Sequence, residues 1–309
     1  MGASTMFSIN DVIFKFLSGD YALHQMVLIR AVIGIIVMLA VVIPLSGGFA
    51  LLRTPKWRLH LIRGIFVVFS NFFYFLALAA MPLADAVAIF FVAPLLVTAL
   101  SVPILGEKVG PRRWAAVLVG LLGVVVMMRP GSAAFQFASL LPLLSALAYA
   151  MMHMMTRRMG GTESALTMTV FVQLSFIVSS LAVGLALGDG RYGQTSDPSL
   201  AFLARAWVWP TAGDWMKLTL IGFTSSAGGI LIGQAYKLCE AGLVAPFEYI
   251  SMPLAIFWGV TVFGQWPDMV AWAGIALICG AGLYIAAREA ALARRGKRKR
   301  QHAATGSDL

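Results

Sequence analysis

Charged residues are scarce in this 309-residue chain. Asp, Glu, Lys and Arg make up 12% of it, whereas a soluble domain carries about 25%. Hydrophobic residues account for 60% of the chain, and its mean hydropathy is +0.87. This composition excludes an ordinary soluble domain. It indicates a polytopic membrane protein, in which lipid replaces water around most side chains.

Cysteine and catalytic patterns are equally scarce. The chain has two cysteines, Cys239 and Cys279, which are too few for a disulfide framework. The sequence contains no His/Cys metal spacing, no Ser-His-Asp order and no G-x-x-x-x-G-K-[ST] phosphate loop. We therefore predict no cofactor, no metal and no ATP-driven pump. A membrane enzyme is kept only as a weak alternative.

The net charge of +10 is a known attribute of nucleic-acid-binding proteins. Here, however, the basic residues lie in short loops and in a C-terminal tail, where they determine orientation in the membrane. We therefore predict no nucleic-acid partner.

Ten apolar segments lie near the length of about 20 residues that a helix needs to cross a bilayer. Residues 188–213 are predicted to form an extramembrane loop with Trp207 and Trp209 at the interface, and the basic run 294–300 to be disordered. The first segment is short, and a start upstream of Met1 would lengthen it. The predicted helices are 1–17, 22–43, 59–80, 85–105, 114–128, 137–156, 164–187, 214–236, 243–263 and 269–287.

An internal repeat organises these segments. The stretch 77–129 returns as 235–288, and because five helices are an odd number, the second half must enter the membrane in the opposite sense. We predict an all-α integral membrane protein with ten transmembrane helices as two inverted five-helix repeats, 1–130 and 137–288, and a basic cytoplasmic tail, 289–309. The matched residues are Gly106 with Gly264 and Trp114 with Trp272 at a shift of 158, and Pro94 with Pro253 at 159.

Loop charges predict the orientation. With both termini in the cytoplasm, the cytoplasmic segments hold seventeen Lys and Arg residues and the outer segments hold four. The positive-inside rule therefore predicts a multi-pass protein of the cytoplasmic (inner) membrane, surrounded by the lipid bilayer, with both termini cytoplasmic.

Inverted repeats favour a secondary transporter with a solute site near the bilayer midplane. The chain also resembles the drug/metabolite transporter superfamily, EamA type, over nearly its whole length. It departs from that pattern in its short first helix and in Gly264-Gln265, which replaces the Gly-Glu of the first repeat. The residues that carry the resemblance are Ser8-Ile9-Asn10-Asp11 with Lys15, Arg30, the run Met81–Ala86, Pro94-Leu95, Leu105-Gly106-Glu107 and Gly131.

The resemblance implies a ten-helix bundle whose central cavity is lined mainly by helices 1, 3, 4, 6, 8 and 9. The superfamily includes importers and exporters of amino acids, nucleotide-sugar-like compounds, vitamins and S-adenosylmethionine, so the substrate does not follow. We predict a secondary active transporter of a small organic solute that is amino-acid-, nucleoside- or vitamin-like. It would work by alternating access, with proton coupling or exchange; a passive channel or facilitator is the alternative.

Glu248 is the candidate for proton coupling, because an ionisable side chain inside a membrane helix is a functional candidate by default. A hydrogen-bonded carboxyl near the interface is the structural alternative. Asp11 and Lys15 are four residues apart, so they share a helix face and can pair. With Arg30 they form either a structural ion cluster or, through the Arg30 fork, a carboxylate or phosphate site.

Polar and aromatic residues in apolar helices are the candidates for solute binding. Each of them has a packing role as its alternative. Small-residue pairs, Ala116/Gly120 and Ala276/Gly280, allow close helix contact either within the bundle or across a homodimer. The solute-binding candidates are Arg30, Asn71, Tyr74, Phe91, Tyr149, His153, Gln234, Tyr249 and Trp258.

Overall fold

The computed structural model of the chain describes residues 2–46, 48–131, 136–159, 163–238 and 248–305. All regular structure in these residues is helical. The helices are α1 Gly2–Leu17, α2 Leu23–Val37, α3 Ile43–Leu45, α4 Trp57–Ala80, α5 Leu83–Phe90, α6 Ala93–Leu105, α7 Pro111–Met128, α8 Leu140–Met159, α9 Ala165–Leu187, α10 Pro198–Ala204, α11 Ala212–Leu238, α12 Ser251–Phe263 and α13 Met269–Thr305. A π-helical turn, Met38–Val42, joins α2 to α3.

Eight described segments are long and apolar enough to cross a bilayer, so the chain is an all-α multi-pass membrane protein. One further apolar helix, α12, is shorter at 13 residues, and α1 has 16 residues. The eight spans are Leu23–Leu45, Trp57–Ala80, Leu83–Leu105, Pro111–Met128, Phe137–Met159, Leu166–Leu187, Ala212–Ile232 and Met269–Arg288.

The predicted fourth helix, 85–105, is broken in two, which corrects the expectation of a continuous segment. The helix stops at Phe90, and Phe91 takes φ −67° and ψ 0° before α6 begins at Ala93. Pro94 explains the break, because its ring clashes with the preceding turn and it has no N–H to donate. The break turns the rings of Phe90 and Phe91 towards different neighbours.

The helices that end at the matched glycines, Gly106 and Gly264, have similar ends. The helices α6 and α12 each contain 13 residues and end at a left-handed glycine, Gly106 (φ 71°) and Gly264 (φ 64°). The next N–H donates back to the helix in both: Glu107 to Ser101 (3.2 Å) and Gln265 to Gly259 (2.8 Å). Only glycine takes this conformation without strain, so the two matched glycines end their helices in the same way.

Two segments outside the spans have more regular structure than predicted. The connection 188–213 contains the helix α10, because Asp197 caps its Leu200 N–H (2.9 Å) and a proline occupies its first position. Ser199 of α10 donates to the Leu76 carbonyl (2.8 Å), which docks the loop on α4. The basic run 294–300, predicted to be disordered, lies within α13, since Ala, Arg, Lys and Gln all favour helix.

Glycines bring α7 and α13 close together inside the bundle. A Cβ added to Gly123 would lie 2.8 Å from the Leu277 Cβ and 2.9 Å from the Ile278 Cγ1, and one added to Gly120 would lie 1.9 Å from Leu95. The Ala116/Gly120 face is therefore used within the chain. Gly280 has no atom within 4 Å of such a Cβ, so the second predicted pair lies away from this contact.

Contacts between loops define two ends of the bundle. At one end, which we call the basic face, Lys56 donates to the Met159 carbonyl (3.0 Å) and Arg157 bridges to Glu107. At the other end, which we call the opposite face, Arg129 bridges to Asp268. The Arg129 guanidinium and the Ala271 N–H hold the pKa of the Asp268 carboxyl below its ordinary value.

The α7–α13 contact predicts opposite effects for two identical substitutions. Gly123→Ala pushes against backbone-near atoms of α13 and lowers the thermal unfolding midpoint in detergent. The control, Gly280→Ala, meets open space and gains helix propensity, worth about 0.5–1 kcal/mol, so its midpoint stays equal or rises. Equal midpoints for Gly123→Ala and the unmodified protein would contradict the close contact.

Candidate functional site

Arg30 lies near the middle of the bundle, enclosed by aromatic rings. Its guanidinium carbon is 5.3 Å from the ring centroid of Phe14, 5.4 Å from that of Phe75 and 4.7 Å from that of Phe176. One nitrogen donates to the Asn71 side-chain oxygen (2.7 Å), and the residue is 4% exposed. Rings and a neutral amide thus compensate a charge that hydrocarbon alone would not accept.

Asp11 of α1 binds across to α4. Its carboxylate accepts a hydrogen bond from the Tyr74 hydroxyl (2.9 Å) and lies within electrostatic reach of Arg30. Asp11 and Tyr74 are half-buried, whereas Arg30 is buried. The structure therefore brings four predicted residues, Asp11, Arg30, Asn71 and Tyr74, into one polar cluster, which we call the α1–α4 cluster.

Lys15 takes partners other than Asp11. Its ammonium donates to the carbonyls of Leu78 (2.7 Å) and Met81 (2.6 Å), where α4 ends and leaves carbonyls without helical partners. It also lies 5.4 Å from the Phe263 ring. The structure therefore separates the pair expected from the four-residue spacing, and Lys15 holds the end of α4 instead.

A row of aromatic rings runs from the α1–α4 cluster to α8. Tyr74 contacts Phe90 (5.0 Å between centroids), Phe90 contacts Tyr149 (5.3 Å), and Tyr149 contacts His153 (4.5 Å). All four residues are half-buried, so their rings are not sealed in the core. Phe90 was not predicted, because an apolar side chain in an apolar helix carries no signal of its own.

Glu248 lies beside this row. Its charge acts on the hydroxyls of Tyr149 and Tyr249, and the side chain is half-buried. Tyr249 stacks on Phe91 (5.0 Å), and its hydroxyl occupies a notch at Gly282, where a Cβ would lie 1.6 Å away. The Phe91–Tyr249 stack thus joins the turn before α12 to the break between α5 and α6. Because Glu248 is the neighbour of Tyr249, this contact also fixes the backbone beside Glu248.

The remaining candidates have other positions. Trp258 is half-buried against the hydrophobic core, and it also contacts its neighbour Phe257 (4.9 Å), which is exposed on the outside of α12. Gln234 lies in α11, and its side chain is outside the described residues. In the described part of the chain no group of three His, Cys, Asp or Glu side chains is placed to hold a metal.

Arg63 of α4 was overlooked, because its position near the end of the predicted helix made it one of the orientation charges. Its Nε donates to the Thr156 hydroxyl (2.8 Å) and one terminal nitrogen to the Met168 carbonyl (3.2 Å). It is half-buried between α4, α8 and α9, and its charge reaches Tyr149 and His153.

Comparisons with known proteins show the family of this chain. The first 129 residues match the EamA-like transporter family. A riboflavin transporter of Rhizobium johnstonii is 31% identical over 78% of this chain and 74% of its own. The chain belongs to the EamA-type drug/metabolite transporter superfamily.

Other relatives of this EamA-type chain are named for riboflavin or for S-adenosylmethionine. A Vibrio cholerae riboflavin transporter is 29% identical over 89% of this chain and 87% of its own. An S-adenosylmethionine uptake transporter of Rickettsia prowazekii is 26% identical over 90% of this chain and 87% of its own. A solved crystal structure, described only as that of a protein, is 24% identical with a TM-score of 0.60 over 95% of this chain and 98% of its own, which supports the fold.

The enclosure of Arg30 predicts a structural requirement. Arg30→Ala leaves a void among three rings and an unpaired Asn71, and we expect it to lower the free energy of unfolding by about 3 kcal/mol. Arg30→Lys keeps the charge without the planar group and should recover part of that loss. Thermal unfolding in detergent measures both, with Arg58→Ala on the exposed side of α4 as the control.

The opposite outcome would favour a role in solute binding alone. In that case Arg30→Ala would unfold at the same temperature as the unmodified protein and would differ only in its affinity for solute.

Proposed function

We propose that this EamA-type chain is a secondary active transporter that carries a small metabolite with a flat heteroaromatic ring system. The transporter crosses the cytoplasmic membrane ten times, as two inverted five-helix repeats. In this arrangement α1 and the segment that includes α12 are spans as well, and the basic face and both termini lie in the cytoplasm.

The row Tyr74–Phe90–Tyr149 is the observation that carries the proposal. Three half-buried rings in sequence provide faces on which a flat heterocycle can stack. The α1–α4 cluster at one end of the row provides hydrogen-bonding groups that orient the solute. Riboflavin and S-adenosylmethionine, which the relatives' names mention, both contain such a ring system.

Glu248 is the group through which a proton gradient drives transport in this proposal. Its half-buried carboxyl lies within electrostatic reach of Tyr149, so its charge and the solute would share one site. Coupling follows if protonation and solute binding alter each other's free energy. The alternative is an exchanger that couples the movement of one solute to that of another. In an exchanger Glu248 would not carry protons.

Uptake into proteoliposomes tests the proposal. We expect saturable uptake of riboflavin or S-adenosylmethionine, accelerated by an inward proton gradient and accompanied by counterflow. Unsaturable flux without counterflow would indicate a channel or facilitator. Absence of uptake of both compounds in both membrane orientations would contradict the proposed solute class.

The Glu248 substitution tests the coupling. We expect Glu248→Gln to lower gradient-driven accumulation by about tenfold or more while counterflow persists, because the neutral amide cannot carry a proton. Glu107→Gln is the matched control, since Glu107 is an exposed carboxylate paired with Arg157 on the basic face. Full gradient dependence in Glu248→Gln would remove Glu248 from the mechanism.

A further inference from the structure

We propose that Arg63 forms an anion-binding subsite at the basic-face end of the solute site, so that the carried solute bears a carboxylate or phosphate in addition to its flat ring. This inference rests on the proposed function, because the subsite continues the row of rings that would hold the heterocycle.

The face of α4 that carries Tyr74 also carries Arg63. Eleven residues separate them, and at 3.6 residues per turn this is about three full turns, so the two side chains leave the helix in nearly the same direction. Ser70 lies between them on the same face and contacts Ser145 of α8, with 3.3 Å between the hydroxyl oxygens. Arg63 is therefore directed towards α8.

The facing side of α8 is polar along its length. Ser145, Tyr149, His153 and Thr156 recur at spacings of four, four and three residues, which places them on one helix face. Ser145 donates to the Ser70 carbonyl (2.6 Å), and Thr156 accepts from Arg63 (2.8 Å). Tyr149 and His153, the last two members of the ring row, thus lie between these two contacts.

Arg63 differs in its partners from the arginines of the described ion pairs. Arg129, Arg157 and Arg191 each bridge to a carboxylate. The hydrogen bonds that the described residues offer Arg63 go to a hydroxyl and a carbonyl, which use two of its five N–H donors and place no carboxylate on it. A planar guanidinium with free donors binds carboxylate and phosphate through paired hydrogen bonds.

The charges at the His153 end of the ring row are positive, whereas the Glu248 carboxyl acts on Tyr149, one turn further along α8. The two charged groups that act on the nearby His153 are both arginines, Arg63 and Arg157. Arg157 is already paired with Glu107, whereas Arg63 is half-buried and in reach of the ring row. Arg30, by contrast, is enclosed by three rings and 4% exposed, so Arg63 is the more accessible of the two arginines.

Two pairs of probes that differ in one anionic group test the subsite. Riboflavin is compared with its 5′-phosphate, and S-adenosylmethionine with its decarboxylated form, by titration against the purified full-length protein. We expect the anionic member of the pair that binds to bind at least tenfold more tightly. Arg63→Gln should abolish this preference and leave affinity for the other member within about twofold.

Two further variants keep the result interpretable. Arg58→Gln removes an exposed arginine from the same helix and should retain the preference. Thr156→Val removes the hydroxyl that holds the Arg63 Nε without removing a charge, and should reduce the preference at least threefold. The Thr156→Val variant provides the test of the subsite if Arg63→Gln does not fold.

Four results would overturn the subsite. The first two are no preference for the anionic probe in the unmodified protein and an unchanged preference in Arg63→Gln. The other two are an unchanged preference in Thr156→Val where Arg63→Gln does not fold, and a loss of preference in Arg58→Gln equal to that in Arg63→Gln. The proposed function survives each of these results. Failure of all four probes to bind would overturn the proposed heteroaromatic solute class, and the subsite with it.

Discussion

The cost of placing charges in hydrocarbon constrains the centre of this bundle. A charge at the bilayer centre costs about 2.5–3.5 kcal/mol on insertion scales. Arg30, Asp11 and Lys15 meet that cost with rings and neutral hydrogen-bonding groups, and Arg30 and Asp11 also lie within electrostatic reach of each other. Arg30 uses three rings and an amide, Asp11 a tyrosine hydroxyl, and Lys15 two carbonyls at the end of α4. These contacts tie α1, α2 and α4 together and give Tyr74 a fixed position.

Breaks in the helices direct neighbouring side chains to different partners, which a continuous helix cannot do. Pro94 separates α5 from α6, and the turn between them directs Phe90 to the ring row and Phe91 to Tyr249. Pro253, which the sequence matches to Pro94, lies near the start of α12, four residues after Tyr249. Irregular backbone therefore lies beside the candidate site at both prolines, where partners other than lipid are at hand.

Much of the fold was predictable from the sequence, and less of the site. Hydropathy located most of the spans, and a shift of 158 residues predicted the matched caps at Gly106 and Gly264. Partners in space were not predictable: Asp11 binds Tyr74, 63 residues away, and not the neighbour at four residues. Arg63 was overlooked for the same reason, since only the contact with Thr156 distinguishes it from a loop charge.

Solute-protected labelling at Val67 tests most directly whether solute binds along the face between α4 and α8. Val67 lies on α4 between Arg63 and Tyr74, and Val67→Cys is placed in a protein whose Cys239 and Cys279 are serine. A matched Trp209→Cys protein carries its cysteine on the exposed loop, where Trp209 is 83% exposed. We expect riboflavin or S-adenosylmethionine to slow alkylation of the cysteine at position 67 and to leave the alkylation rate of the cysteine at position 209 unchanged. Equal rates at 67 with and without a transported solute would contradict it.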